Sequence, residues 1–161
     1  MSNRSGSRSI VGGLAAATVL IVAGCASTGP LLPEVDLTDP AWTVTTGQAL
    51  WTPGADRPSL AGELIVAKHA AGEILISFSK PPLPIFTAQT SGDGWRIDFV
   101  ERGRSYSGTG SPPRRFIWFR LPELIEGAPA PRRWAIDRPA DDEIRLANPR
   151  SGEKIRVVLD P

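Results

Sequence analysis

Between Trp42 and Leu159 the apolar residues fall at every second position, in short bursts that stop at glycine, proline or small polar residues. A period of two is the mark of a strand that buries one face. Trp42-Thr43-Val44-Thr45 and Gln48-Ala49-Leu50-Trp51 read as two short strands paired across Thr46-Gly47. Glu63 to Lys68 predicts a strand with Leu64 and Val66 on one face. His69-Ala70-Ala71-Gly72 predicts a turn, and Glu73 to Ser79 answers it, Ile74, Ile76 and Phe78 alternating with Leu75, Ser77 and Ser79. Together they predict a half-buried hairpin. Lys80-Pro81-Pro82-Leu83-Pro84 predicts an extended corner, since proline donates no ladder hydrogen bond. Ile85 to Thr90 resumes the sheet and Ser91-Gly92-Asp93-Gly94 turns it again. Trp95, Ile97 and Phe99 then share a face from which Arg96 and Asp98 point away, and Arg104 to Gly108 is the next strand. This first part is an antiparallel meander of about five strands with one apolar face.

The period changes at Phe116-Ile117-Trp118-Phe119-Arg120-Leu121-Pro122-Glu123-Leu124-Ile125-Glu126-Gly127. Apolar residues there follow helical as well as continuous spacing. Pro122 fits a first helical turn and Gly127 an end, which predicts one or two turns of helix. After Ala128 to Pro131, alternation returns in Trp134 and Ile136, in Ile144 and Leu146, and in Ile155, Val157 and Leu159. Asn148 to Gly152 joins the last two runs. The expected fold is mainly β (α+β), with roughly seven or eight strands and one short helical insertion. A single curved sheet of this kind must bury its apolar face against a helix, close on itself, or hold a ligand.

Ahead of this domain the chain has another character. A basic start with Arg4 and Arg8 precedes an apolar run of 14 residues, Ile10 to Ala23, that ends in small residues. That is the layout of a secretory leader. A membrane-spanning helix is the alternative, but a bilayer needs about 20 apolar residues, and Gly12 and Gly13 interrupt this shorter run. Cys25 is the only cysteine, so it has no partner for an internal disulfide. Val22-Ala23-Gly24-Cys25 resembles the lipobox of bacterial lipoproteins. The resemblance implies a signal peptide over residues 1–24, cleavage before Cys25, a diacylglycerol on its sulfur, and an acyl group such as palmitate on the new amine. Two acyl chains anchor a protein stably where one does not. Ala26, where an Asp would favour inner-membrane retention in enterobacteria-like sorting, implies the periplasmic face of the outer membrane. Residues 25–40, with three prolines and little periodicity, read as a flexible tether. Residues 41–161 are the globular domain.

Composition narrows the function. Without the two leader arginines, 18 basic residues become 16 against 17 acidic ones. A nearly neutral domain exerts no general pull on nucleic acid, and none is expected as a partner. His69 is the single histidine, at a predicted turn and outside any ligand cluster, so no metal is expected. No serine lies in a Gly-x-Ser-x-Gly elbow. Tyr106-Ser107-Gly108-Thr109-Gly110 lacks the Lys-Ser/Thr ending of a phosphate loop. Asp141-Asp142-Glu143 reads as a solvated turn. No catalytic set emerges, so the chain is not expected to be an enzyme, and its one expected attached group is the covalent lipid on Cys25. Arg102, Arg104, Arg114, Arg115 and Arg120 flank the aromatic block Phe116 to Phe119. Such a block is either a buried run with arginines at its rim or a contact with lipid headgroups.

The order of elements over residues 60–160 resembles the LolA/LolB family of lipoprotein carriers and acceptors. Gly62-Glu63-Leu64-Ile65-Val66 is similar to that family's opening strand, and Pro82-Leu83-Pro84 to its proline corner. Trp95-Arg96-Ile97-Asp98-Phe99 with Tyr106-Ser107-Gly108 is similar to its central strands, and Leu121-Pro122-Glu123-Leu124-Ile125-Glu126-Gly127 to its lid. The resemblance implies an unclosed β-barrel whose short helical lid covers an apolar concave face that takes a lipid or a lipoprotein acyl chain. The residues expected to line that face are Leu64, Val66, Ile76, Phe78, Phe86, Trp95, Ile97, Phe99 and Trp118. The competing expectation is a structural or assembly lipoprotein of the envelope, in which the same face is a packed core and the outer surface docks a protein.

Overall fold

The computed structural model describes residues 32–161, so the expected leader and the expected lipid site Cys25 lie outside the described residues. Nine strands follow in order: β1 (Trp42–Thr52), β2 (Leu60–His69), β3 (Ile74–Lys80), β4 (Leu83–Ser91), β5 (Gly94–Phe99), β6 (Arg104–Thr109), β7 (Ala135–Ala140), β8 (Glu143–Asn148) and β9 (Glu153–Leu159). They make one antiparallel sheet in the order β6-β5-β4-β3-β2-β1-β9-β8-β7. The edge strands β6 and β7 do not meet, so the sheet is an unclosed barrel. Residues 110–134 join these two edges. They carry a 3-10 turn, Ile117–Arg120, continuous with the short helix α1, Leu121–Ile125.

The alternation along each strand decides which face is covered. Leu64 and Val66 on β2, Ile76 and Phe78 on β3, Phe86 and Ala88 on β4, and Trp95 and Ile97 on β5 are all buried. On the other side of the sheet's midline, Ile144 and Leu146 on β8 and Ile155 and Val157 on β9 turn to the same core. The 3-10 turn and α1 add Ile117, Trp118, Phe119, Leu121 and Leu124, so the lid is as apolar beneath as the sheet it covers. Complete burial of a side chain such as Phe78 or Phe86 contributes roughly 1.5–3 kcal/mol. Pro122 sits in the first turn of α1, and Gly127 follows the helix with φ +97°, a left-handed conformation that suits glycine.

The structure corrects one element. Thr46-Gly47 does not turn the chain; Trp42 to Thr52 is a single strand paired with β2 along its length and with β9 from Gly47 onward. Gly47 is there for clearance, because a Cβ would stand 2.3 Å from the Val158 carbonyl oxygen. The same reasoning explains Gly108 on β6, where a Cβ would press to 3.0 Å of the Trp95 indole. At the proline corner the chain reverses in the two residues Pro81 and Pro82, and β4 starts at Leu83, earlier than the sequence suggests. The β3–β4 register shifts between Phe78 and Ser79, where Pro84, which has no N–H, joins the ladder.

Candidate functional site

All nine residues expected on the concave face converge. Leu64, Val66, Ile76, Phe78, Phe86, Trp95, Ile97 and Trp118 belong to one buried cluster, and Phe99 packs against it half-buried. They converge by packing on one another and on the lid. Trp118, 2% exposed, is the lid residue whose ring packs among Phe78, Phe86 and Trp51. Its ring centroid lies 4.5 Å from Phe86, and 5.9 Å from Phe78 in a stacked arrangement. Trp51 meets it edge-on at 5.8 Å. Rings in such offset and edge-to-face geometries add about 0.5–1.5 kcal/mol per pair beyond their burial. A second aromatic group lies nearer β6, where Trp95 meets Phe116 at 5.8 Å and Phe119 at 6.0 Å.

Trp51 was not among the expected wall residues. Its placement in a short hairpin hid the alternation of Gly47, Ala49 and Trp51, which puts all three on the inner side of β1. Leu121, Leu124 and Phe119 of the lid are further wall residues that alternation could not reveal, because this segment is not a strand. The aromatic block is turned inward: Ile117, Trp118 and Phe119 are buried and the arginines lie at the rim. Arg115 rests over the Phe116 ring at 4.8 Å and the Tyr106 ring at 5.6 Å.

Polar contacts pin the lid at its margins. The Arg138 guanidinium on β7 donates through Nη2 to the carbonyl oxygens of Leu124 (2.9 Å) and Ala128 (3.0 Å). Lys68 Nζ on β2 donates to both oxygens of Glu126, at 2.6 and 2.8 Å, in the open. Arg120 holds Glu123 at 2.6 Å within the lid itself.

Open space adjoins the lid at one end of the barrel. A cavity of about 560 Å3 lies among the β2–β3 and β4–β5 turns and the start of the lid, with Ile74, Phe116 and Phe119 as its apolar surface and Asp93, Arg114, Arg120 and Glu123 as polar groups. A shallower groove of about 360 Å3 runs across β1, β9, β8 and β7, lined by Leu50, Ala135, Ile136 and Ala147 among Arg145, Lys154 and Arg156. None of the nine expected wall residues lines either space.

Three polar groups sit at the aromatic centre, two indole N–H groups and one carboxyl. The Trp51 indole N–H donates to Glu153 Oε1 at 3.0 Å. Burial raises the Glu153 carboxyl above its ordinary value, against the opposing pull of that hydrogen bond and of Arg102. The Trp118 indole N–H, by contrast, is buried with no acceptor among the described residues. On the outer face of β5, burial resists the Asp98 charge, yet hydrogen bonds from Arg96 (2.6 Å) and Ser105 outweigh it and hold the carboxyl below its ordinary value.

His69 closes β2 against Trp42, ring centroids 5.0 Å apart, and its Nδ1 accepts from the Ala71 N–H at 3.1 Å. Asp141 and Asp142 lie in the β7–β8 turn, and Glu143 receives Arg145 and Arg156. Among the described residues no group of three potential metal ligands comes together, and no helix is long and apolar enough to cross a membrane. In comparison with known proteins, no family model matches the chain, and no curated protein matches it either.

Proposed function

We propose that this chain is a lipid-anchored protein of the bacterial envelope that takes a lipid or lipoprotein acyl chain against the concave face of its unclosed barrel. The anchor would be Cys25 and its site the periplasmic face of the outer membrane. The reading rests on the lipobox-like Val22-Ala23-Gly24-Cys25 and on the resemblance to the LolA/LolB carriers and acceptors. The observation that carries it is the lid. One continuous apolar wall is covered, between β6 and β7, by a short segment pinned at its margins and bordered at one end by a cavity of about 560 Å3. That space lies beside the wall and meets the lid at Phe116 and Phe119.

The mechanism is sequestration without bond chemistry. In the closed form Trp118, Phe119 and Leu124 occupy the space that a guest would take. Lifting them exposes apolar surface at a cost of about 25 cal/mol per Å2. An incoming acyl chain covers the same wall and returns about 0.8 kcal/mol per buried methylene. The exchange is therefore close to balanced, which is what loading and release both need. The cavity beside Phe116 and Phe119 gives the guest a first foothold.

A second reading, an assembly lipoprotein with a packed core, is favoured by the outer groove around Leu50 and Ile136 and its basic border. A photoactivatable fatty-acyl probe added to membranes holding the full chain separates the two. The carrier reading expects adducts on peptides of β2–β5 and the lid. Adducts confined to the outer groove, or none, would replace it with the docking reading.

A further inference from the structure

We infer that the Trp118 indole N–H reads the carbonyl of an acyl ester or amide, so that the concave face selects acceptor-bearing acyl chains over plain hydrocarbon. The inference rests on the carrier reading and deepens it. Trp118 is 2% exposed, its Nε1 is buried, and no acceptor among the described residues lies within reach. An indole N–H is a donor only and cannot be satisfied by rotation into another role. Burying it unpaired costs about 1–3 kcal/mol, and native interiors leave few such groups. The neighbouring indole shows the contrast, since Trp51 in the same cluster donates to Glu153 at 3.0 Å. Trp118 is ringed by Phe78, Phe86 and Trp51, which supply apolar contact and no oxygen.

The closed, empty form therefore carries a fixed penalty at one atom, and that atom sits on the moving part of the site. A saturated hydrocarbon under the lid would leave the penalty in place. A chain ending in an ester or amide brings one carbonyl oxygen to a wall whose other acceptor at the aromatic centre, Glu153, is taken by Trp51. Pairing it with Trp118 Nε1 removes the penalty without charge or covalent change. The selectivity expected from one neutral hydrogen bond is roughly three- to tenfold. Lipids and acylated protein termini carry such carbonyls beside their chains, and hydrocarbons do not.

The test uses two chain-matched photoactivatable probes, a fatty-acyl ester and a hydrocarbon, added to membranes holding the full chain. Adducts on the lid and on β2–β5 are quantified by peptide mass. Wild type is expected to prefer the ester by roughly three- to tenfold. Trp118→Phe removes the N–H and trims the ring, so both probes feel the lost volume while only the ester feels the lost donor, and the ratio is expected to fall to about one. Phe86→Leu disturbs the same cluster but leaves the N–H, and is expected to keep the preference. Equal labelling by wild type overturns the inference whether or not Trp118→Phe folds, and so does a preference that survives in Trp118→Phe. Absence of wall adducts with both probes overturns the carrier reading, and this inference with it.

Discussion

Two indoles and one carboxyl show how little polarity the centre of this protein contains. Trp51 has its acceptor in Glu153, and that acceptor is itself under strain from burial. The sign of the pH effect follows. A carboxyl whose folded value is raised binds its proton more tightly in the folded state, so its contribution to stability is present at low pH and is lost as pH rises through the raised value. Glu153→Gln keeps an oxygen for the Trp51 N–H and removes the charge. The variant is expected to melt higher than wild type at about pH 7, the gap narrowing as pH falls through the raised value and closed below the usual carboxylate value of about 4. Thermal unfolding followed by circular dichroism at the two pH values checks it; a gap that widens on acidification would refute the assignment. No sequence signal pointed to Glu153. It stands at the start of β9, one residue before Lys154 and just past a glycine turn, where an acid ordinarily meets water.

The strands were legible because alternation is a local signal. Leu64 with Val66, Ile76 with Phe78, and Trp95 with Ile97 each declare their inner face within a few residues. The first strand was not, because Thr46-Gly47 imitates a turn and the demand on Gly47 comes from Val158, more than a hundred positions away. The lid was visible as a break in period, but its depth was not. Nothing local says that Trp118 descends onto Phe86 while Arg120 stays at the surface. Arg138 does most to hold the lid shut, since it reaches two carbonyls at once. Arg138→Ala is expected to speed amide exchange over residues 117–128 and to leave β2 and β3 protected, at a stability cost of about 1.5–3 kcal/mol. Lys68→Ala, which breaks an exposed pair, is expected to cost no more than about 1 kcal/mol. Hydrogen exchange read by mass spectrometry distinguishes them, and equal effects would give the Lys68–Glu126 pair an equal share in holding the lid.

The molecule as a whole is an unclosed half-barrel, to which the proposed function adds a membrane anchor at Cys25. The fold class could be read from the chain because repeated runs of one period leave few alternatives to a curved sheet; the sequence suggests roughly seven or eight strands and the structure has nine. Eight of the nine wall residues could be placed on one face for the same reason; Trp118 belongs to the lid, which faces them. Whether that face is full or empty depends on volumes that alternation does not encode, and the lid fills it with aromatic rings. The anchor has its own test. The mature protein taken from membranes is expected to begin at Cys25 and to carry the mass of a diacylglycerol with an added acyl group. Cys25→Ala is expected to incorporate no labelled palmitate and to keep residues 1–24. A wild-type mass showing a bare cysteine would remove the anchor and its proposed location together.

The seam between β1 and β9 sets an order of events. Gly47 faces Leu159 and Thr52 faces Lys154, so the middle of the sheet is stitched by its first and last strands. While the polypeptide is synthesised or threaded, β1 can zip to β2 at once, but its other margin stays bare until the closing strand arrives. Pairing across so long a separation is slow, and a bare margin in the interval invites foreign strands. A companion that shields nascent chains would matter most in that interval.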